Sequence, residues 1–281
     1  MEESLSIPIV SIVTPTLNQG EFIEETIESV LSQNYPAIEY LVIDGGSSDK
    51  TIPILKKYGN KLRWLSEPDR GQSHAINKGW SLSKGEIFAY LNADDLLDPQ
   101  AVNVVVENFC RVPEAGIVHG DCVLIDTRGK KIGYLKGENH DFSKLLRDGQ
   151  SKLAQPASFY RAKLVREVGM LDENLHLSMD YDLMLRLARV SSMVYVPRYL
   201  AYFRVHINSK SSNLTERHWK ESFQVRSRYG GKRLLKPRLK YIQYRILKAL
   251  PTSFQTLFRR WRGSAWDLVN LRAVDLLSDE S

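Results

Sequence analysis

The sequence predicts an α/β protein with a mostly parallel central sheet and helices on both of its faces. Apolar, β-branched runs alternate with amphipathic helical stretches through residues 7–111, and the short links between them are typical of strand–helix–strand units. Polar and acidic residues follow four of these runs, where the carboxyl ends of parallel strands meet. Because 43% of the 281 residues are hydrophobic and 26% are charged, a sizeable core is expected and wholesale disorder is excluded.

Each predicted element follows from the spacing of its apolar residues. Strands are expected where β-branched and aromatic residues run together, namely at 7–14, 38–44, 62–66, 86–91, near 115–125 and at 198–206. Helices are expected where apolar residues recur every three or four positions, namely at 21–32, 49–58, 72–83, 100–111 and 180–190. A hairpin turn is expected at 127–130, and the polar-aromatic stretch 151–162 is expected to be a loop.

Charge divides the chain into two predicted parts, a body at 1–214 and a basic C-terminal extension at 215–281. The net charge is +6 at pH 7, but residues 1–214 carry −3 whereas residues 215–263 carry +12. A basic segment of this kind binds acidic lipid head groups or nucleic acid, and charge alone does not choose between them.

Within the extension, residues 236–262 are predicted to form two short amphipathic helices. Their apolar residues fall on one stripe before Pro251 and on another after it: Leu239, Ile242, Ile246, Leu247 and Leu250, then Phe254, Leu257, Phe258 and Trp261. Basic faces opposite apolar, aromatic faces are typical of helices that lie in a membrane interface, so an anionic membrane surface is the expected partner and nucleic acid is not. The open alternative is that both stripes pack on the body or on a second subunit, giving a homo-oligomer.

Several classes of protein are excluded or disfavoured by what the sequence lacks. No apolar run approaches the ~18 residues that span a bilayer, and the start MEESLSIPIV is acidic where a secretory signal is basic. Cys110 and Cys122 are too few for a disulfide framework or a four-cysteine zinc site. The segment TPTLNQG after the first predicted strand has neither a dinucleotide-binding glycine pattern nor a phosphate-binding loop. We therefore expect a reduced, cytoplasmic protein that is peripheral on the cytosolic face of the membrane.

The segment Asn92-Ala93-Asp94-Asp95, at the end of a predicted strand, is the strongest chemical signal. Its oxygen ligands suit Mg²⁺ or Mn²⁺, which prefer a few carboxylates and complete their shell with phosphate oxygens and water. The structural alternative is a helix cap, since Asp95 and Asp98 precede the next predicted helix. Both interpretations hold together if Asp94 binds a metal while Asp98 caps the helix.

Six ordered motifs make the sequence resemble the family 2 glycosyltransferases. They are TPTLNQGEFIEETIESVLSQNYP (14–36), YLVIDGGSSDKT (40–51), SEPDRGQSHAINKG (66–79), GEIFAYLNADDLL (85–97), MDYDLMLRLA (179–188) and YFRVHINSKS (202–211). The resemblance covers roughly residues 7–212 and implies the GT-A nucleotide-diphospho-sugar transferase fold, with residues 1–214 as the catalytic domain. It implies an inverting, metal-dependent transfer of a hexosyl or N-acetylhexosaminyl group from a nucleotide-diphosphate sugar, with a UDP-sugar as the expected donor. The members it resembles most act in cell-surface polysaccharide synthesis, on glycan or lipid-linked acceptors.

The resemblance also implies which residues approach the nucleotide-sugar. They are Thr14, Pro15, Thr16, Asn18, Asp44, Asp69, Gly71, Gln72, Asn77, Asn92 and Ala93. Asp44 would accept the N–H of a uracil ring, and Asn77 would support the loop that holds Asp69. Asn92 stands where the family has the first acid of its D-x-D motif, so one formal charge is missing and weaker metal affinity is expected.

By the same resemblance, Asp94 is the expected metal ligand and Mn²⁺ or Mg²⁺ the expected cofactor. His206 matches a family segment near the diphosphate, where it would add a metal ligand or a phosphate hydrogen bond. A structural role for this histidine at a strand end is the open alternative. Gln155 and Pro156 correspond to the acceptor side.

Asp180 corresponds to the family's catalytic base. In an inverting transfer, this carboxylate takes the proton of the acceptor hydroxyl while that oxygen attacks the anomeric carbon, and the metal stabilises the leaving diphosphate. Met179 stands where the family usually has an adjacent acid, so Asp182 is the next candidate for the base. The structural alternative for Asp180 is an ordinary acid at a helix start.

Two other classes of function stay open. Asn92 and Met179 fit a catalytically weak nucleotide-sugar-binding protein, which turnover with release of UDP would distinguish from an enzyme. A nucleic-acid-binding protein would use the basic extension and bind with strong salt dependence, although the apolar stripes argue against it. Trp64 and Trp80 lie in periodic apolar stretches and are expected in the core rather than as platforms for sugar rings.

Overall fold

The computed structural model describes residues 7–149, 153–206, 209, 216–231, 239 and 242. The strands of this part of the chain are β1 (Val10–Thr16), β2 (Ile38–Asp44), β3 (Arg63–Ser66), β4 (Ile87–Tyr90), β5 (Leu96–Leu97), β6 (Ala115–Ile125), β7 (Lys131–Leu135), β8 (Ser158–Arg161) and β9 (Ser192–Arg204). The helices are α1 (Ile23–Leu31), α2 (Thr51–Lys57), α3 (Gln72–Leu82), α4 (Ala101–Arg111), α5 (Phe142–Asp148), α6 (Ala162–Val168), α7 (Met179–Val190) and α8 (Glu216–Arg228).

The first four strands form a parallel unit in the order β3-β2-β1-β4. Within it Thr16 lies opposite Asp44, and Asp44 lies opposite Ser66. The carboxyl ends of these strands therefore meet at one edge of the sheet, as predicted, because each strand–helix–strand connection returns the chain in the same direction.

Beyond β4 the sheet is mixed, which differs from the mostly parallel sheet that the sequence predicts. Its order continues β8-β6-β9-β5, with β7 paired to β6. β8 is antiparallel to both β4 and β6, whereas β6 and β9 are parallel. The turn predicted at 127–130 does connect a hairpin, and this connection makes β7 antiparallel to β6.

β8 lies inside the stretch 151–162, which the sequence predicts to be a loop. Its first and last residues are polar, and both find backbone carbonyl acceptors. Ser158 Oγ donates to the carbonyl of Ala154 (2.8 Å), and Arg161 Nε donates to the carbonyl of Ala115 (2.9 Å). These acceptors allow a strand with polar ends to be buried. The hydrophobic period of the sequence does not reveal such hydrogen-bond partners, so the strand was not predicted.

Helices cover both faces of the sheet, as predicted. One face carries α1, α2 and α4, and the other carries α3, α6 and α7. Trp80 is fully buried on the second face, where its indole stacks on Phe88 with ring centroids 5.5 Å apart and donates to the carbonyl of Ala89. Trp64 is half-buried against the core of the first face. Both tryptophans therefore belong to the core, in agreement with the sequence prediction.

Helix α8 falls in the predicted extension but packs on the body. Its Glu221 accepts the backbone N–H groups of residues 176–178, at 3.0, 2.7 and 3.3 Å, and so holds the loop that leads into α7. The division of the chain at residue 214 stays a prediction, but residues 216–231 contribute to the fold of the body.

The amphipathic helices predicted at 236–262 lie outside the described residues, apart from Leu239 and Ile242. These two residues are helical and are exposed by 54% and 52%, and both belong to the first predicted apolar stripe. In the part of the chain that the structure describes, no helix has the length and apolar character needed to cross a membrane.

Candidate active site

A cavity of about 470 Å³ opens at the carboxyl ends of β1 and β4. Most of the site residues implied by the resemblance line it: Pro15, Thr16, Asp69, Gly71, Gln72, Asn92, Ala93, Asp94, Gln155, Pro156 and Asp180. The parallel unit brings together the residues from Pro15 to Asp94, whereas Gln155 and Pro156 come from the segment before β8 and Asp180 comes from the start of α7. The volume falls in the range of small-molecule sites in proteins.

Five other predicted residues do not line the cavity: Thr14, Asn18, Asp44, Asn77 and His206. Thr14 is fully buried and shares a hydrogen bond of 3.0 Å with the Tyr40 hydroxyl. Asn18 has a positive φ of 53° and accepts the backbone N–H of Ser48 at 2.9 Å through its side-chain oxygen. Thr14 and Asn18 therefore shape the strand end, and their predicted contacts with a nucleotide stay predictions.

Asp44 is fully buried, and its carboxylate organises the loop after β2. It accepts hydrogen bonds from the backbone N–H groups of Gly46 (3.0 Å) and Ser47 (2.9 Å) and from the hydroxyls of Ser47 and Ser66. The hydrogen bond predicted between Asp44 and a uracil ring stays a prediction, and it would require one of these protein donors to give way.

Asn77 joins α3 to the loop before α7 rather than facing the cavity. Its side-chain amide donates to the carbonyl of Leu171 (2.9 Å) and accepts the N–H of the same residue (3.0 Å). Arg70 and Glu173 form a salt bridge of 2.7 Å between the same two regions. The segment that carries Asp69 and Gly71 is thereby fastened to the approach to α7.

The carboxylate of Asp94 contacts a histidine that lies 112 residues further along the chain. His206 Nε2 lies 2.9 Å from Asp94 Oδ2, and the histidine ring packs on Phe22 with centroids 5.0 Å apart. Asp98 instead bonds the start of α4, since its Oδ1 accepts the N–H of Gln100 at 3.0 Å. Asp98 therefore bonds the turn that leads into α4, whereas the predicted metal role of Asp94 stays a prediction.

Asp95 is buried and belongs to the architecture of the same turn. Its Oδ1 accepts the N–H of Arg204 (2.9 Å), and its Oδ2 accepts the side-chain amide of Asn92 (3.2 Å). Burial, together with the neighbouring charge of Asp94, raises the pKa of Asp95 well above its ordinary value.

Arg204 is a site residue that the sequence analysis did not identify. Its buried guanidinium donates to the carbonyl of Asp94 (2.9 Å), to the carbonyls of Asp126 (3.2 Å) and Thr127 (3.0 Å), and to the carboxylate of Glu25 (2.6 Å). These bonds tie the Asp94 turn to α1 and to the hairpin after β6. Its one sequence signal is its place in the motif YFRVHINSKS, since a lone arginine at a strand end has no distinctive pattern.

Asp180 and Asp182 occupy different environments although they are two residues apart on α7. Asp180 lies in the first turn of the helix and lines the cavity. Asp182 is buried and ion-paired to Arg186 (2.8 Å) and Arg228 (3.1 Å), in a separate hollow on the other side of the helix. The structure therefore favours Asp180 over Asp182 as the candidate base, because the Asp182 carboxylate is paired with two guanidinium groups and does not line the cavity.

Met179 fills the position where the family usually has an acid. Its side chain is buried in the cavity wall, and its sulfur accepts the Ser73 hydroxyl at 3.0 Å. Leu124, Leu135, Leu153, Ala154 and Phe203 extend the apolar lining. The sequence analysis missed this apolar wall because its residues come from distant strands and loops.

Asp94 and His206 are the predicted ligands of a divalent cation, and their side chains lie 2.9 Å apart. Among the residues that the structure describes, no cluster of three or more His, Cys, Asp or Glu side chains is arranged around a common point. A pair of protein ligands still fits Mg²⁺ or Mn²⁺, because these ions keep several waters and take phosphate oxygens of the substrate. The carboxylate of Asp94 and the imidazole of His206 are suitable ligand types for such an ion.

The parallel unit and the polar edge that it forms at the cavity are typical of the GT-A fold. The chain belongs to the glycosyl transferase family 2, whose family model matches residues 11–169.

Curated relatives share the same part of the chain. An uncharacterised glycosyltransferase of Rickettsia typhi is 30% identical over 213 residues, which are 73% of this chain and 67% of the relative. Chondroitin synthase of Pasteurella multocida is 28% identical over 206 residues, which are 71% of this chain and 21% of the synthase. The chain spans 36% and 31% of two further Rickettsia relatives, so many relatives are much longer than the matched region.

Solved structures of low sequence identity share the fold. Residues 1–349 of Staphylococcus aureus TarS, in complex with UDP-GlcNAc, have a TM-score of 0.64 at 16% identity, covering 97% of this chain and 92% of that one. The mannosyltransferase PcManGT of Pyrobaculum calidifontis, in complex with GDP-Man and Mn²⁺, has a TM-score of 0.60 at 17% identity, covering 99% of this chain and 89% of that one. These similarities confirm the predicted GT-A fold.

Proposed function

We propose that the chain transfers a sugar from a UDP-sugar to a glycan or lipid-linked acceptor, with inversion at the anomeric carbon and with a divalent metal. The observation that supports this most is that Asp94, at the end of β4, and Asp180, at the start of α7, line the same cavity. Asp94 would supply a carboxylate to the cation that binds the diphosphate, and Asp180 would supply the base for the acceptor hydroxyl.

Asp180 is the base in this proposal. Its carboxylate takes the proton of the acceptor hydroxyl as that oxygen bonds to the anomeric carbon and the bond from this carbon to the diphosphate oxygen breaks. Asp94 and His206 would hold the cation, which supplies positive charge to the leaving diphosphate. Arg204 positions Asp94 because its Nε donates a hydrogen bond of 2.9 Å to the backbone carbonyl of Asp94.

The donor and acceptor classes are supported by different observations. TarS has been solved with UDP and with UDP-GlcNAc, while PcManGT was solved with GDP-Man, so the uridine donor rests chiefly on the first of these. The names of chondroitin and hyaluronan synthases among the relatives support a role in cell-surface polysaccharide synthesis. The apolar wall formed by Leu124, Leu135 and Phe203 favours an acceptor with an apolar part, such as a lipid carrier.

The experiment that tests this proposal is a screen of nucleotide-sugars for release of the nucleoside diphosphate, with Mn²⁺, with Mg²⁺ and with chelator. We expect turnover with one UDP-sugar, and loss of turnover in chelator. Tight UDP binding without release from any donor, in the presence of a panel of glycan and lipid-linked acceptors, would favour the catalytically weak binding protein. Turnover that persists in chelator would contradict the metal-dependent mechanism.

A further inference from the structure

Asn92 contacts three side chains that come from three different parts of the fold. Gln72 at the start of α3 donates to Asn92 Oδ1 at 2.6 Å. Asn92 Nδ2 in turn lies 3.2 Å from Asp95 Oδ2 and 3.4 Å from Gln155 Oε1. Gln72 and Gln155 both line the cavity, so Asn92 bridges two of its walls.

The direction of the bond to Gln155 is set by a backbone carbonyl. Gln155 Nε2 donates to the carbonyl of Tyr90 at 2.7 Å, and a carbonyl can only accept. Gln155 must therefore turn its oxygen, Oε1, towards residue 92. The side chain at position 92 has to supply a donor on this side.

The opposite side of residue 92 needs an acceptor. Gln72 approaches with its amide nitrogen, Nε2, which can only donate. An amide carries an acceptor and a donor on its two branches, whereas an ionised carboxylate carries acceptors alone. An aspartate at this position would keep the bond to Gln72 but would place an acceptor against Gln155 Oε1.

We propose that Asn92 is a positioning residue whose amide joins two walls of the cavity. One is the donor wall, which carries Gln72, and the other is the acceptor wall, which carries Gln155. The assignment of walls to donor and acceptor rests on the proposed function. The asparagine is then not a metal ligand that has lost a charge. Asn92 holds the turn Gln155–Ala157 at the distance from α3 that transfer requires. An acid at position 92 is therefore unfavourable in this chain.

The decisive variant is Asn92→Asp, compared with Gln155→Ala and with the double variant. Loss of the bond to Gln155 should raise the acceptor KM by about tenfold, as expected for a partly buried hydrogen bond with one partner left unsatisfied. UDP affinity in Mn²⁺, measured by calorimetry, should change by less than about threefold because the bond to Gln72 survives. The double variant should show little more than the acceptor defect of Gln155→Ala, since both changes remove the same bond.

Asn92→Ala is the matched control for charge. It removes the bridge without adding a carboxylate, so it should reproduce the acceptor defect of Asn92→Asp. Activity of Asn92→Asp at or above that of the wild type, with activation at a lower Mn²⁺ concentration, would overturn the proposal, because it would make the position an acid site. Additive effects of the two single changes would also overturn it.

Failure of the proposed function would be visible separately, as absence of nucleotide release by the wild type with every donor. The bridge can then be tested by thermal unfolding of the same variants. We expect Asn92→Ala and Gln155→Ala each to lower the Tm by about 2–4 °C, and the double variant to lower it by less than the sum. Additive Tm shifts would show that the two side chains act independently.

Discussion

At the residue scale, the fate of each acid depends on what surrounds it rather than on its place in a motif. Asp94 faces His206 beside the cavity, Asp95 is buried under backbone and amide donors, and Asp182 is neutralised by two arginines. Each environment suits one role, respectively ligand binding, support of a turn, and a link between helices.

Asp94→Ala should abolish metal-dependent donor binding. The change removes the carboxylate that we place on the cation, while the backbone carbonyl that Arg204 bonds is retained. Calorimetry of UDP binding with and without Mn²⁺ measures this directly. An unchanged affinity in Mn²⁺ would move the metal site elsewhere.

Asp180→Asn should lower transfer by roughly 10²-fold or more while donor binding stays nearly intact, since an amide keeps the shape of the side chain but cannot act as the base. Asp182→Asn is the matched control on the same helix. It should lower stability by about 1–3 kcal/mol through the weakened pairs with Arg186 and Arg228, with little effect on kcat. Near-normal turnover of Asp180→Asn would refute its role as the base.

His119 should make the fold sensitive to mild acid. The ring is fully buried, neither of its nitrogens has a hydrogen-bond partner among the described residues, and its neighbours are His140 and Tyr195. Burial, reinforced by His140 and opposed by Asp121, lowers the pKa of His119 to about 3. Because this pKa lies below that of an unfolded histidine, the stabilising effect of the neutral ring is complete above about pH 6.5 and is lost as the pH falls towards 3.

The corresponding experiment is urea unfolding between pH 7 and pH 5. One such histidine should cost the wild type about 2 kcal/mol over this interval. His119→Phe keeps a ring in the same space without a titrating group, so its free energy of unfolding should fall less over the interval. Equal slopes for the two proteins would show that His119 is not responsible.

At the element scale, the elements that pack around α7 decide the geometry of the site. α7 presents Asp180 to the cavity with one of its faces and buries Asp182 with another. The loop before it is held by Glu221 of α8, an element outside the resemblance to the family. A helix from the basic extension therefore helps to set the position of the proposed base.

Glu221→Ala should destabilise the protein by about 1–3 kcal/mol, because three backbone N–H groups lose their acceptor. Burial raises the pKa of Glu221, but the hydrogen bonds from the backbone N–H groups and from Arg217 outweigh it and hold this pKa below its ordinary value. Differential scanning calorimetry measures the loss as a lower Tm. Arg217→Ala is the control, since this half-exposed partner should contribute less than about 1 kcal/mol; a larger effect of Arg217→Ala than of Glu221→Ala would contradict the assignment.

At the scale of the whole molecule, the body and the basic extension carry different functions in our proposal. The body holds the cavity, and residues 236–262 would lie on an anionic membrane, near a lipid-linked acceptor. Leu239 and Ile242 expose their apolar side chains, as a membrane-facing stripe would. Each Lys or Arg near an anionic surface contributes about 1 kcal/mol, so a few contacts are enough for binding.

The full chain should sediment with phosphatidylserine-containing vesicles at low salt, whereas a chain that ends at residue 235 should stay in solution. This end point is preferable to residue 214 because it keeps α8 and Glu221, which support the body. A Tm close to that of the full chain would establish that the shorter chain is folded. Equal partitioning of the two chains would refute the membrane role.

The sequence by itself determined the parallel unit and the residues at its edge. Hydrophobic period and the polar residues that follow each strand are local features, so β1–β4, the cavity edge and the candidacy of Asp94 could be predicted from the residues, whereas the candidacy of Asp180 came from the resemblance to the family. The tertiary structure alone decided the mixed half of the sheet, the ion pairs that hold Asp182 away from the cavity and the contacts of Arg204. The physical reason is that these depend on partners far apart in the chain: Arg204 bonds a residue 110 positions away, Asn92 and Gln155 are 63 apart, and Asp182 and Arg228 are 46 apart. No local period or motif records such pairs, because only the folded chain brings donor and acceptor within hydrogen-bonding distance.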